Sequence, residues 1–150
     1  MNISIRKATA NDIAAMMQLI KELALYERAP EQVTVTEEHF RQSLFGAHPV
    51  CWAFVAINDK DEVIGIALYY IRYSTWKGQR MYLEDIIVTD ACRGMGIGSM
   101  LMEALIAEAK GKGFSGILWQ VLEWNAPAIN FYKKYPVHFD PEWINVSMEL

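Results

Sequence analysis

The chain has 150 residues, of which 53% are hydrophobic, with two cysteines and a net charge of −4. That is enough apolar material for an ordinary core without help from disulfides or metals, so a single domain over residues 1–150 is expected. An acidic balance with no basic block disfavours a nucleic-acid surface and mildly favours a cationic partner; Cys51 and Cys92 form no C-x-x-C, and His39, His48 and His138 are scattered, so neither a disulfide framework nor a metal site is indicated.

In chain order, residues 3–7 alternate as a strand and lack the uninterrupted apolar segment of a signal peptide. Asn11 or Asp12 then caps a helix whose apolar positions Ile13, Met16, Met17, Ile20, Leu23 and Ala24 recur at helical spacing. Thr36-Glu37-Glu38 opens a second helix through Leu44. Three β-rich runs follow, 52–57, 63–73 and 81–88, the first two joined by the polar turn Asn58-Asp59-Lys60-Asp61 that signals a hairpin. The longest apolar run, 63–71, is too short to span a bilayer, so a cytosolic protein without membrane segments is expected. A helix over 97–110 stops at Gly111 and Gly113, followed by a strand over 117–122, a helix over 126–135 and a closing strand over 143–148. The fold class is therefore α/β: a central, mainly antiparallel sheet covered by helices, with one crossover making the 81–88 and 117–122 strands a parallel pair.

Three stretches carry chemistry. Arg93-Gly94-Met95-Gly96-Ile97-Gly98 joins a strand to a helix, where glycines free the backbone to turn and the helix start presents N–H groups and a positive dipole to a phosphate. A dinucleotide G-x-G-x-x-G would need glycine at Ser99 or Leu101, and a P-loop would need a lysine before Lys110, so both are excluded by spacing. Alone, such a turn is more often only a tight turn. Glu84-Asp85 lies in the middle of an apolar strand, where carboxylates need solvent, partners or a function. Adjacent strand residues face opposite sides unless a bulge re-aims one, so either acid can face a cleft while the other pairs with a neighbour. In Trp124-Asn125-Ala126-Pro127-Ala128-Ile129-Asn130-Phe131-Tyr132, Asn125 is an N-cap and Pro127 suits the first turn, and a helical tyrosine such as Tyr132 by default packs by its ring.

Together these stretches, in this order and spacing, resemble the GNAT superfamily of N-acetyltransferases. Tyr82-Leu83-Glu84-Asp85, the glycine loop through Ser99, residues 124–134 and Ile20-Lys21-Glu22-Leu23-Ala24-Leu25-Tyr26-Glu27 are similar to its diamine (spermidine/spermine) branch, which also includes acetylators of thialysine-like amino acids. The resemblance implies a mixed sheet splayed between the 81–88 and 117–122 strands and acetyl-coenzyme A as acetyl donor, with no metal. It implies that Ile86, Ile87 and Val88 follow the pantetheine arm, that Arg93, Gly94, Met95, Gly96, Ile97, Gly98 and Ser99 surround the pyrophosphate, and that Asn125, Ala126, Pro127 and Ala128 touch the coenzyme. Tyr132 becomes the proton donor to the leaving thiolate, Glu84 a catalytic residue, and Tyr26, Glu27, Glu84 and Asp85 contacts to a small cationic amine. A homodimer is also implied, for which the closing strand would offer an edge. The sequence departs from the branch at Tyr135-Pro136-Val137-His138, where a glycine is usual, and in a shortened stretch around Glu142. Two other classes stand beside this expectation: a coenzyme-binding sensor without catalysis, and an acetylator of peptides or proteins.

The energetics define what the acids must do. A primary amine with a pKa near ~10 is about one part in a thousand neutral at pH 7, which costs roughly 4 kcal/mol before attack. An ordinary glutamate is about six units too weak to take that proton directly, so Glu84 must bind the cation and pass its proton through water, or carry a raised pKa.

Overall fold

The computed structural model describes residues 1–150. Its elements are β1 (Ser4–Lys7), α1 (Ile13–Tyr26), α2 (Glu37–Phe45), β2 (Trp52–Ile57), β3 (Val63–Ser74), β4 (Gly78–Val88), α3 (Ile97–Gly111), β5 (Ile117–Leu118) and α4 (Ala126–Tyr132). Contacts divide the chain into two units, Met1–Gln120 and Val121–Leu150.

In the first unit five strands form one sheet in the order β1-β2-β3-β4-β5. The first three pairings are antiparallel, and β4 with β5 is parallel, reached through α3. This is the mixed α/β sheet that the alternation of runs predicts. One face is buried by Ile13, Met16, Met17 and Leu19 of α1 and Phe40 and Leu44 of α2, packed on Ala53, Val55, Ile66, Leu68 and Ile87. The other face receives α3. Alternation puts Gly65, Ala67 and Tyr69 there, and a Cβ on Gly65 would stand 3.0 Å from the Ile87 carbonyl oxygen and 3.2 Å from Leu101 Cδ1, so any larger residue there would require Leu101 and the β4 backbone to give way. Tyr69 completes the contact by donating its hydroxyl to Glu108 at 3.1 Å.

Two local devices shape the ends of α1 and β4. Asp12 stands at the N-terminal end of α1 but does not cap it. Its carboxylate accepts instead from Arg6 at 2.7 and 3.0 Å and from the Thr9 N–H at 2.7 Å, because a short 3₁₀ turn precedes the helix. The arginine hydrogen bonds hold that carboxyl below its ordinary range. Second, β4 carries a bulge. Leu68 pairs with Asp85 and Tyr69 with Leu83, which leaves Glu84 without a cross-strand partner on β3.

The sheet ends differently from the sequence expectation. The strand expected over 117–122 pairs only as Ile117 and Leu118, opposite Met81 and Tyr82. Beyond Tyr82 the β4 edge has no strand beside it, which is the splay the resemblance implies, opened earlier than the apolar run suggested.

In the second unit, α4 stops at Tyr132 rather than Tyr135. The N–H groups of Lys134 and Tyr135 turn back to Phe131 and Tyr132 in tight i→i+3 bonds, and Pro136 cannot continue a helix. The closing strand over 143–148 is not formed: no strand pairs with it. Trp143, Ile144, Val146 and Met148 are exposed, so an alternating pattern without a ladder partner does not become a strand.

Candidate active site

The glycine loop is held from behind by side chains that its spacing does not reveal. As β4 ends, Glu22 of α1 accepts from the Asp90 N–H at 2.8 Å and from the Thr89 hydroxyl at 3.2 Å, pinning the strand's exit to the helix. Arg93 donates to the Val88 carbonyl at 3.2 Å, sits 3.4 Å from Asp90 and lies 5.2 Å over the ring of Tyr26. Tyr26, expected at the amine, thus carries the arginine that opens the loop.

Gly94 and Gly96 both have φ of +79°, the left-handed region that other residues adopt only with strain. A Cβ on either would meet nothing within 4 Å, so it is backbone conformation, not crowding, that requires glycine there. Gly98 is already helical, so two of the three glycines make the turn. Ile97 anchors the first turn of α3 in the core, and no side chain caps that end. The first backbone bond of the helix runs from the Met100 N–H to the Gly96 oxygen. The N–H groups of Ile97, Gly98 and Ser99 therefore remain as the donor set of a helix start, backed by the dipole of a fifteen-residue helix. That donor set fits a pyrophosphate.

Along β4, the Ile87 side chain belongs to the core cluster, which leaves only its backbone for a ligand, whereas Ile86 and Val88 are half-buried. From Leu83 onward no strand occupies the β5 side of this edge, so an extended arm can lie along it.

The bulge answers which acid faces where. Glu84 is exposed, and Asp85 points to the α1 face with Leu68 and Ile87. Burial pushes the Asp85 carboxyl up to about 7, and the charges of Glu84 and Glu27 add to the rise. Glu27, just past the end of α1, is itself raised by burial. The three acids thus share one electrostatic neighbourhood although they come from two elements. Next to them, the rings of Tyr70 and Tyr82 stack at 4.9 Å. Burial raises both phenols, and Glu84 raises each further. The Cys51 thiol is likewise raised by burial and then by Glu84. Tyr70 and Cys51 carry no signal in the sequence, and Tyr82 and Glu22 lie within the resembling stretches without a role assigned to them, since each meets the site across strands or from a different element.

In the second unit, Asn125 is buried and its side-chain oxygen accepts from the Ala128 N–H at 3.3 Å, the cap the sequence predicts, with Pro127 in the first turn. Tyr132 ends that helix, buried, with its ring 5.6 Å from that of Phe131.

Residues 13–135 match the acetyltransferase (GNAT) family. The chain belongs to this family. It is an N-acetyltransferase, and enzymes of the family take acetyl-coenzyme A as co-substrate, for which the cradle at Gly94–Ser99 is suited. This acetyltransferase is 41% identical over 138 residues to thialysine N-epsilon-acetyltransferase from Bos taurus, covering 87% of the chain and 81% of that protein. It is 34% identical to the human spermidine/spermine N(1)-acetyltransferase-like protein 1, over 85% of the chain but 19% of that longer protein. In fold it matches an aminoglycoside acetyltransferase from a soil metagenome with a TM-score of 0.80 at 19% identity, covering 99% of this chain and 96% of the other. No helix of the structure is long and apolar enough to cross a membrane.

Proposed function

We propose that the enzyme moves the acetyl group of acetyl-coenzyme A directly to the primary amine of a small cationic substrate, a polyamine or a thialysine-like amino acid. The observation that carries this reading is Asp85, a carboxyl raised to about 7 on the strand that leads into the phosphate cradle. An acid poised there is half ionised at neutral pH, the range in which a general base works best. Against an amine near ~10 its deficit is about three units, roughly 4 kcal/mol, compared with about 8 kcal/mol for an ordinary glutamate.

In this reading Glu84 and Glu27 hold the ammonium, and Asp85 receives its proton before the amine nitrogen attacks the thioester carbon. The new N–C bond forms as the C–S bond breaks, and the acylated nitrogen then gives its second proton to water, which balances the proton that sulfur gains through Tyr132. Tyr132 hydrogen-bonds the departing thiolate and returns a proton to sulfur; a phenol near ~10 is a weaker acid than a thiol near ~8.5, so its part is chiefly to stabilise the developing charge. The N–H groups of Ile97, Gly98 and Ser99 bind the pyrophosphate, Arg93 with Gly94, Met95 and Gly96 shapes the turn, the β4 backbone over Ile86, Ile87 and Val88 lines the pantetheine, and Asn125, Ala126, Pro127 and Ala128 flank the coenzyme. Support comes from the uncapped start of α3 and the unpaired β4 edge. The family match runs from 13 to 135 across both units, which supports one catalytic domain over 1–150. We further read the protein as cytoplasmic and homodimeric, the exposed alternating residues from Trp143 to Met148 being suited to an edge that pairs with a second copy.

The test is thiol release from acetyl-coenzyme A with spermidine, spermine, putrescine, thialysine, lysine and a short peptide. Turnover with a small amine is expected. Coenzyme binding without turnover of any amine would instead mark a sensor, and turnover of the peptide alone would mark a protein acetylator.

A further inference from the structure

The C-terminal part of α1 grips the segment between β4 and the glycine loop at two points. Glu22 and Tyr26 are four residues apart, so they share one face of the helix. Glu22 accepts from the Asp90 N–H at 2.8 Å, and Tyr26 lies under Arg93, whose Cζ stands 5.2 Å from the ring centroid. Glu27 follows one position later, about 100° further round the helix, and it is the charge of Glu27 that Asp85 feels. One end of α1 thus serves two places with neighbouring residues, and Tyr26 belongs to the loop.

The Arg93 head is fixed by three groups. Its Nε donates to the Val88 carbonyl at 3.2 Å, its Nη1 stands 3.4 Å from the exposed Asp90 carboxylate, and the Tyr26 ring carries the guanidinium on its face. The choice of an aromatic partner matters. A ring attracts a cation through its quadrupole without cancelling the charge, and an exposed carboxylate cancels it only weakly in water. A positive charge therefore stands, already ordered, immediately before Gly94 and Gly96 turn the chain into the N–H donors of α3. A loose arginine would lose rotamer freedom whenever an anion engaged it, and prior ordering removes that cost from binding.

We propose that Tyr26 is a positioning residue that sets donor selectivity: by holding Arg93 at the glycine loop it makes the enzyme favour a thioester that carries a pyrophosphate over one that ends at pantetheine, and it does not contact the amine. This rests on the coenzyme cradle of the acetyl-transfer reading, and it moves Tyr26 from the acceptor, where the resemblance implies it, to the donor. Arg93 already occupies a face of the ring that an ammonium would use. The hydroxyl has no part in the device; the ring alone carries it.

The experiment compares Tyr26→Leu, which keeps apolar bulk at this half-buried position but removes the ring, with Tyr26→Phe, which keeps the ring. The calorimetric Kd for coenzyme A, which needs no acceptor, should rise about 3–10-fold in Tyr26→Leu, the worth of one partly desolvated cation–ring contact, and stay native in Tyr26→Phe. With the fastest amine of the panel, kcat/KM for acetyl-coenzyme A should fall by the same factor in Tyr26→Leu. The kcat/KM for S-acetylpantetheine, which has no pyrophosphate, and the KM for the amine should keep their native values. Placed on Arg93→Gln, the Tyr26→Leu change should add nothing further, because the two act through one contact. A coenzyme A Kd unchanged in Tyr26→Leu, or an equal loss with both donors, overturns this role for Tyr26 while leaving acetyl transfer intact. A raised amine KM in Tyr26→Phe also overturns it, and returns the hydroxyl to the acceptor. A native chain that binds no coenzyme A would overturn the cradle itself, and the acetyl-transfer reading with it.

Discussion

The glycine loop and the acid cluster, both fed by β4, are built on different principles. At the glycine loop the proposed recognition groups are backbone N–H donors, and the side chains around them serve to hold the turn: Glu22 on Asp90 and Thr89, Arg93 on Val88 and Tyr26. At the acid end the proposed recognition groups are the side chains themselves, Glu27, Glu84 and Asp85, brought together by the end of α1 and by one extra residue in a strand. A backbone site keeps its chemistry whatever the pH and is damaged by changes of shape. A side-chain site is damaged by loss of charge and answers to pH. Substitutions in the two places should therefore separate coenzyme affinity from the chemical step.

The largest effect is expected outside both, at the group assigned to the thiolate. Tyr132→Phe should lower kcat by about 10²–10⁴ with the Kd for acetyl-coenzyme A almost unmoved; a loss of less than tenfold would show that the thiolate leaves without this hydroxyl. Asp85→Asn comes next. In the native enzyme kcat/KM should rise as pH increases through about 7, where Asp85 loses its proton, and the variant should lose that limb along with about 10²-fold in rate. Stability carries the same signature with a definite sign. The folded carboxyl is raised from 3.8 to about 7, so the folded state binds the proton more tightly than the unfolded one. Its contribution is full below pH 4 and is lost as pH rises through 7, which predicts that Asp85→Asn unfolds later than the native protein above pH 7, by on the order of 2–4 kcal/mol. The gap should close toward pH 4 in denaturant titrations. A pH-independent gap would mean that packing, not charge, distinguishes the variant.

The contrast between the two ends also explains what the sequence could tell. A turn made by left-handed backbone leaves a local trace, so Gly94 and Gly96 are readable from spacing, as are the Asn125 cap and the hairpin at Asn58–Asp61. Glu84 and Asp85 are visible as misplaced charges in an apolar strand, but their directions depend on a bulge that is set by pairing with Leu68 and Tyr69 on the neighbouring strand. Glu27 and Tyr26 enter only through resemblance. The stacking of Tyr70 on Tyr82 carries no local mark, because cross-strand register is a tertiary property. The closing segment departs in the opposite direction: residues 143–148 have the alternation of a strand, yet alternation describes a face and does not supply the neighbour that a strand needs.

The glycine loop should respond in the complementary way. In Gly96→Ala the new methyl has open space, so the cost to folding is the left-handed strain alone, about 1–2 kcal/mol. A helix start that relaxes from this strain re-aims the Ile97, Gly98 and Ser99 donors, and the KM for acetyl-coenzyme A should rise about tenfold, as for one weakened anion contact, while the pH limb assigned to Asp85 stays in place. A shifted limb would show that the two ends are not separable.

The smallest effect is expected at Glu22, which touches neither end's ligand groups but fixes the strand exit between them. Glu22→Ala removes an acceptor held 2.8 Å from the Asp90 N–H and 3.2 Å from the Thr89 hydroxyl. The site is partly open to water, so the loss in stability should be about 1 kcal/mol, with a rise of a few-fold in the KM for the coenzyme and little change in kcat. Glu22→Gln keeps a carbonyl oxygen for the Asp90 N–H and should recover most of that rise. If Glu22→Ala instead lowers kcat and displaces the pH limb, the tie from α1 to the strand exit also positions Asp85 and Glu27, and the loop and the acids would act as one mechanical unit rather than two.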